Sequence, residues 1–350
     1  MAKPDMPMVW RARMEDFVTA LAWSPDGQRL AVGAADGSLA VLDRMGKAWV
    51  RQAHEGGLLS LAWNSAGTEL ASGGQDGQIV LHTATGEGTS QLPAGGAWVE
   101  RLAFSPHGIL ASAAGKVVRT WPSGKPTDLQ PLKSSCTGLG WNPTDPTRLA
   151  ASAYGGVQHF KLGQVAPERT FEWKGSLLSL EWAPDGRHLA AGCQDQSVHV
   201  WIVKSGKDME MSGYPYKVHV TAWNRSSRFL ATTGAGQICV WDFSGKGPQG
   251  STPILLDGHQ QALAALDFQK KGDLLASTDQ EGGLMVWNLA APKKPVATRG
   301  MQGEAARVAW SPDDSLLAAG DAEGNVIAWA TAPQATPMAI QGVARRSRTR

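Results

Sequence analysis

The chain has 350 residues, 42% hydrophobic and 18% charged, which is enough apolar material for a packed core and excludes a disordered polymer. Its formal net charge is +2, and four arginines (Arg345, Arg346, Arg348, Arg350) lie in the last six residues, so the body carries no field that would gather nucleic acid or anionic membrane. No apolar run approaches the ~20 residues of a membrane helix.

In chain order, the opening stretch MAKPDMPMVWRARM has no continuous apolar segment of the secretory kind, and a cytoplasmic location is expected. Three cysteines (Cys136, Cys193, Cys239) are too few, too far apart and of the wrong parity for a disulfide framework or a zinc ribbon, so buried thiols are expected.

From Trp23 onward an aromatic residue ends a short apolar run eight times: Trp23, Trp63, Phe104, Trp141, Trp182, Trp223, Phe268 and Trp310. The intervals are 40, 41, 37, 41, 41, 45 and 42 residues. Around these anchors the text repeats as LAWSPDG, LAWNSAG, LAFSPHG, LEWAPDG and VAWSPDD, an apolar strand running into a turn. A second run follows each turn (LAVGA, LASGG, LAAGC, LATTG, LLAAG), then a tight turn and a third run with its own marker. The markers are Leu42, His82, Trp121, Phe160, Trp201, Trp241, Trp287 and Trp329, each 17 to 19 residues after its anchor. Short strands with frequent turns predict an all-β fold, and a period near 42 with three or four strands per unit predicts radial blades.

The repeat resembles the WD-repeat β-propeller family, whose unit ends in Trp-Asp; the dipeptide survives here at Trp241-Asp242, with Trp287-Asn288 close to it. The resemblance runs from about Trp10 to Trp329 and implies one propeller over 1–335, followed by a 336–350 segment with a basic tail. Eight anchors predict eight blades of four antiparallel strands; the number would be seven if the third unit, with its 37-residue interval, were not a blade. Residues 8–16 are expected to supply the outer strand of the last blade, with Met338–Val343 as the competing strand from the other end.

The resemblance also implies a hydrogen-bonded set of His, Ser or Thr, Asp and Trp within a blade. His54 and His259 both stand nine residues before an anchor, which favours structural histidines over metal ligands. In the first set His82 replaces the Trp, and in the second Glu281 replaces the Asp, so both read as incomplete. The literal GxGxxG at Gly245, Gly247 and Gly250 contains Pro248 and lies between strands, unlike a dinucleotide fingerprint. No residue pattern supports catalysis, a cofactor or a metal, and a propeller enzyme with a channel-bound cofactor has nothing to carry it.

A rigid ring with exposed loops suits partner binding. The expected function is a non-catalytic scaffold for a protein or peptide, monomeric on its own; the alternative is a nucleic-acid contact through the basic tail. The resemblance places the residues before each first strand and those in the tight turn after each second strand on one face. There Trp98 stands where other blades carry Gly57, Ser135, Ser176 and Ala262; Arg101 replaces Ala20, Ser60 or Gly138; and Tyr154 takes a turn slot filled by Asp36 or Asp76 elsewhere. These three are expected to meet as a hot spot, with Tyr216, Lys217, His219, Glu304 and Arg307 as a more polar extension.

Overall fold

The computed structural model describes residues 6–245 and 247–331. Among them the chain forms eight antiparallel sheets arranged as the blades of a propeller. The first blade shows the pattern: Val18–Trp23, Arg29–Ala34, Ser38–Asp43 and Ala48–Gln52 pair in chain order from the axis outward. Each first strand touches the first strands of its two neighbours, so these eight strands form the wall of a central channel.

Blade 3 is a full blade whose outer strand, Thr127–Asp128, is short. In blade 4 the segment Arg148–Lys161 is both the second and the third strand, folded about Tyr154, Gly155 and Gly156, and the Leu162 N–H donates to the Thr147 carbonyl at 2.8 Å across its open end.

The outermost strand of blade 8 comes from the start of the chain. Met8–Arg13 pairs antiparallel with Asn325–Ala330, while Ala305–Trp310 and Leu316–Asp321 complete that sheet. Trp10 is buried there, and the Arg11 guanidinium donates to Asn325 and Gln302. The competing segment 338–343 lies outside the described residues, as does the basic tail.

The core is divided as a ring must divide it. Buried apolar residues fall into eight clusters, each made by two neighbouring blades, and one joins blade 8 (Ala318, Val326, Ala328) to blade 1 (Val18, Leu30, Val32). An open stack of eight blades would have seven such interfaces; the eighth closes the circle. Second strands are rich in Ala and Gly because they are packed on both faces. At Gly33 a Cβ would overlap the Leu58 side chain of the next blade, and at Gly320 it would meet Val18 across the closure.

The anchor tryptophans have a second role besides filling these interfaces. The indole N–H of Trp23, Trp63, Trp141, Trp182 and Trp310 donates at 2.9–3.1 Å to a carbonyl of the preceding blade's first strand: Ala309, Ala22, Ala103, Gly140 and Asp267 respectively. Each acceptor is the residue just before that blade's own anchor. A buried donor satisfied across an interface fixes the register of one blade on the next, which explains why Trp recurs at this position.

Candidate partner-binding face

Two buried chains of hydrogen bonds hold the approach to a first strand against the turn that follows the second. In blade 2, His54 Nδ1 lies 3.1 Å from both carboxylate oxygens of Asp76, and its Nε2 lies 2.8 Å from Ser72 Oγ. Ser72 Oγ is in turn 2.9 Å from His82 Nε2. A carboxylate only accepts, so His54 donates from Nδ1, Ser72 donates to His54, and His82 donates to Ser72. His82 therefore does the work of the missing indole and completes a set that reads as incomplete in the sequence. Burial pushes the His82 imidazole down to about 4, helped by the charge of Arg51, so it stays neutral.

Blade 7 repeats the chain with Trp287 Nε1 donating to Ser277 Oγ at 2.8 Å and Ser277 to His259 Nε2 at 2.7 Å. The acid is not Glu281, as the sequence position suggests, but Asp279, two residues earlier, whose Oδ2 accepts from His259 Nδ1 at 2.5 Å. Glu281 points outward and accepts from Gln261 at 2.8 Å. In blade 6 the slot nine residues before the anchor holds Tyr214, which accepts from Trp241 Nε1 at 2.6 Å and bonds Thr232 Oγ1 at 2.7 Å.

Turn length then sorts the blades. In blades 1, 2, 5, 7 and 8 the first turn residue donates its N–H to the carbonyl six residues before the anchor, as Gln75 does to Gly57 at 2.9 Å and Ala322 to Glu304 at 2.9 Å. This bond places the approach segment and the turn on one face. Blades 3, 4 and 6 are one residue shorter here, with eleven positions from Leu110 to Trp121, Leu149 to Phe160 and Leu230 to Trp241 against twelve from Leu70 to His82. Among the described residues none of the three forms the bond.

The short turns leave large side chains uncovered. Trp98, immediately before the first strand of blade 3, is 53% exposed; Tyr154, at the blade 4 turn, 52%; and Tyr216, on the approach to blade 6, 63%. The Tyr154 N–H donates to Ser134 Oγ at 3.0 Å, which takes the place of the missing turn bond. Among the described residues no ring or cation–π contact joins Trp98, Arg101 and Tyr154 to one another. Tyr216, Lys217 and His219 line a cavity of about 400 Å³ between blades 6 and 7, closed on the other side by Gln260, Gln261 and Gln280. Glu304 is exposed on blade 8 of the same face.

Arg101 and Arg307 stand within the first strands of blades 3 and 8, Arg101 half-buried and Arg307 exposed. Each follows a bulge in its first strand, three residues before the anchor, and each donates from Nη1 at 2.8 Å to the carbonyl of the residue before it. At the level just before the anchors, six blades carry Ala or Gly, but blade 5 has Glu181 and blade 7 has Asp267. Glu181 is exposed, but the surrounding channel wall desolvates its carboxyl and pushes it up to about 7, opposed by Lys270 and reinforced by Asp267. Asp267 is also raised by burial, although it meets Lys270 Nζ at 2.5 Å and accepts from the Trp310 N–H at 2.8 Å. Blade 6 separates Glu181 from Asp267 around the ring. Neither acid figures among the residues singled out from the sequence, yet LEWAPDG against LAWSPDG displays the first of them.

Among the described residues no group of three or more His, Cys, Asp or Glu is assembled that could hold a metal ion. No helix of the described residues is long and apolar enough to cross a membrane.

The repeat model described as "WD domain, G-beta repeat" matches residues 47–83, 166–201, 250–288 and 295–330, and the model for the WD40 domain of anaphase-promoting complex subunit 4 matches residues 4–56. The chain belongs to the WD-repeat β-propeller family. Among curated relatives of this WD-repeat propeller, cell division cycle 20.1, cofactor of APC complex, from Arabidopsis thaliana is 31% identical over 33% of the chain and 25% of that protein. The poly(A)+ RNA export protein of Schizosaccharomyces pombe is 27% identical over 47% of each chain. THO complex subunit 3 of Arabidopsis thaliana is 24% identical over 55% of the chain and 63% of that protein. The matches thus span less than two thirds of each of these relatives. Among solved structures the computationally designed Ika8 protein superposes with a TM-score of 0.78 at 21% identity, over 91% of this chain and 97% of that one, a likeness of fold alone. The matched families are repeat families and none of these relatives is named as an enzyme.

Proposed function

We propose that this propeller is a non-catalytic scaffold that binds a protein or peptide partner on the face bearing the turns. The observation that carries the reading is the coincidence of shortened turns with exposed aromatic residues at Trp98, Tyr154 and Tyr216 on blades 3, 4 and 6. Trp, Tyr and Arg are the residue types that most often dominate binding energy, and a β ring holds them with little conformational entropy to lose. Arg101, Lys217, His219, Glu304 and Arg307 supply polar contacts around them. Relatives named as subunits or cofactors of complexes support a partner that is itself a protein.

A cytoplasmic setting belongs to the same reading. It is supported by three unpaired cysteines, of which Cys136 and Cys193 are buried with thiols pushed up to about 12, as suits a reducing compartment.

The test is affinity purification from the native host of the wild-type chain and of a variant carrying Trp98→Ala, Arg101→Ala and Tyr154→Ala together. The reading expects the main co-purifying protein to be lost while circular dichroism stays unchanged. Full retention of every co-purifying protein by the folded variant would remove this face from consideration.

A further inference from the structure

Charge on the turn-bearing rim is divided between two arcs. The rim consists of the approach to each first strand, nine to five residues before the anchor, and the turn after each second strand. On blades 7, 8, 1 and 2 these segments carry acids, with Glu281, Glu304, Glu323, Glu15 and Glu55 exposed, and no Lys or Arg. On blades 3, 4, 5 and 6 they carry Lys116, Lys133, Lys174 and Lys217, one per blade and all exposed. The single acid among them is Asp195, whose carboxylate accepts from the Ser197 hydroxyl at 2.7 Å. The division belongs to the rim alone. One position further out stand Arg13 and Glu172, each beside the arc of opposite sign, and in the first strands Glu100 and Arg101 stand together on blade 3 and Arg307 on blade 8.

The basic arc is one continuous ribbon. The Leu132 N–H donates to the Lys116 carbonyl at 2.9 Å, so the turn of blade 3 lies against the approach to blade 4. Tyr154 pairs with Ser176, and the Val218 N–H donates to the Cys193 carbonyl at 3.1 Å, which carries the same contact on to blades 5 and 6. Among the described residues none of the four lysines forms an ion pair or a side-chain hydrogen bond. The exposed aromatic residues Trp98, Tyr154 and Tyr216 stand on this arc, and among the described residues none stands on the acidic one. At its blade 6 end Tyr216 and Lys217 line the cavity of about 400 Å³, where no lining residue is acidic.

We propose that the basic arc binds a short, extended acidic segment of a protein partner, and that the acidic arc keeps this segment off the other half of the rim. The inference rests on the partner reading and names the chemistry of the partner. Carboxylates along the segment meet one lysine per blade, while apolar side chains between them pack on Trp98, Tyr154 and Tyr216. Opposite charges speed the encounter, and like charges exclude the wrong placement. A long polyanion would run on into the acidic arc, so a short acidic segment is favoured over a nucleic-acid strand.

Fluorescence anisotropy on the full chain tests this with labelled probes: a short peptide repeating Glu-Leu-Gly, its Gln-Leu-Gly counterpart and a single-stranded oligothymidylate of the same charge. The wild type is expected to bind the Glu peptide at least about tenfold more tightly than the Gln peptide at low salt, and the difference shrinks as salt is added. A variant carrying Lys116→Glu, Lys133→Glu, Lys174→Glu and Lys217→Glu is expected to lose it, whereas Glu15→Gln, Glu55→Gln and Glu323→Gln together keep it. If the Lys→Glu variant does not fold, Lys→Gln at the same four positions decides, with a loss of about threefold or more. Equal binding of the two peptides by the wild type, no binding of either, an undiminished preference in the folded lysine variant, or tighter binding of the oligothymidylate than of the Glu peptide overturns the proposal. The partner reading is judged apart from it. If the Trp98, Arg101 and Tyr154 variant loses its co-purifying protein while the four-lysine variant keeps it at low salt, the reading stands and the acidic segment does not; if both variants keep it, both fail.

Discussion

Replacing Asp279 by Ala removes the acceptor for three donors: His259 Nδ1 at 2.5 Å, the Glu281 N–H at 3.0 Å and the Gly283 N–H at 2.8 Å. His259 and Asp279 are both buried, so water does not freely replace the lost carboxylate. Burial lowers the basicity of His259, so the imidazole is neutral and the cost is that of the orphaned donors, about 1–3 kcal/mol for each one buried. The expected loss for Asp279→Ala is therefore about 1–3 kcal/mol from the buried His259 donor alone. Glu281→Ala removes only an exposed bond from Gln261 and is expected to change stability by less than about 0.5 kcal/mol. Asp279→Asn should fall between them: its oxygen still accepts from the two backbone donors, but its amide meets the His259 N–H with a donor. Urea unfolding of all three variants, followed by tryptophan fluorescence, gives the order from the midpoint of the first transition. A Glu281→Ala loss equal to or greater than that of Asp279→Ala would refute the assignment of Asp279 as the acid of the set.

The indole bonds between blades predict that Trp63→Phe costs about 1 kcal/mol more than Trp223→Phe, because Trp63 donates to Ala22 whereas the buried Trp223 Nε1 has no partner; equal losses in urea unfolding would contradict this. His82 is neutral in the fold and protonates in the unfolded chain below about pH 6.5, so its contribution is complete above that pH. It falls by roughly 3 kcal/mol as the pH drops from 6.5 to its folded value of about 4. Stability measured at pH 7.5, 5.5 and 4.5 should accordingly decline less steeply in His82→Trp than in the wild type, and an identical slope would count against the buried neutral imidazole. Deleting residues 1–13 strips the outer strand from blade 8 and exposes the surface that covers Trp10 and Met6, two side chains worth about 2–3 kcal/mol each. Its melting temperature should drop by at least about 5 °C, and an unchanged melt would show that Met8–Arg13 does not hold the ring closed.

The number of blades is legible in the sequence because the anchor residue answers a local physical need. An indole that fills an interface and bonds the preceding strand is hard to replace, so its period survives where the rest of the repeat has drifted. Turn length is legible for the same reason: one residue missing between Leu110 and Trp121 is a countable change. The acid of blade 7 is not legible, since Asp279 reaches His259 from a neighbouring backbone position that the alignment of repeats assigns to another role. Tyr214 hides in the same way, standing in for a histidine with a hydroxyl that serves the same bond. Most deeply hidden is that Glu181 and Asp267 line the same channel, because blades 5 and 7 share that axis only once the ring has closed. Which strand would close the ring is equally open in the sequence, where an N-terminal and a C-terminal segment both have the required alternation.

Hydrogen–deuterium exchange on the free chain and on the complex purified from the native host tests the central claim most directly, because it reports the protected surface without prior choice of a mutation. The account predicts slowed exchange at 97–101, 153–156 and 214–219, the approach segments and turn of blades 3, 4 and 6, with no change at the opposite end of the ring, where the turns at 25–28 and 65–68 lie. Protection confined to those opposite turns or to the outer strands, with the three short-turn segments exchanging as in the free chain, would contradict it.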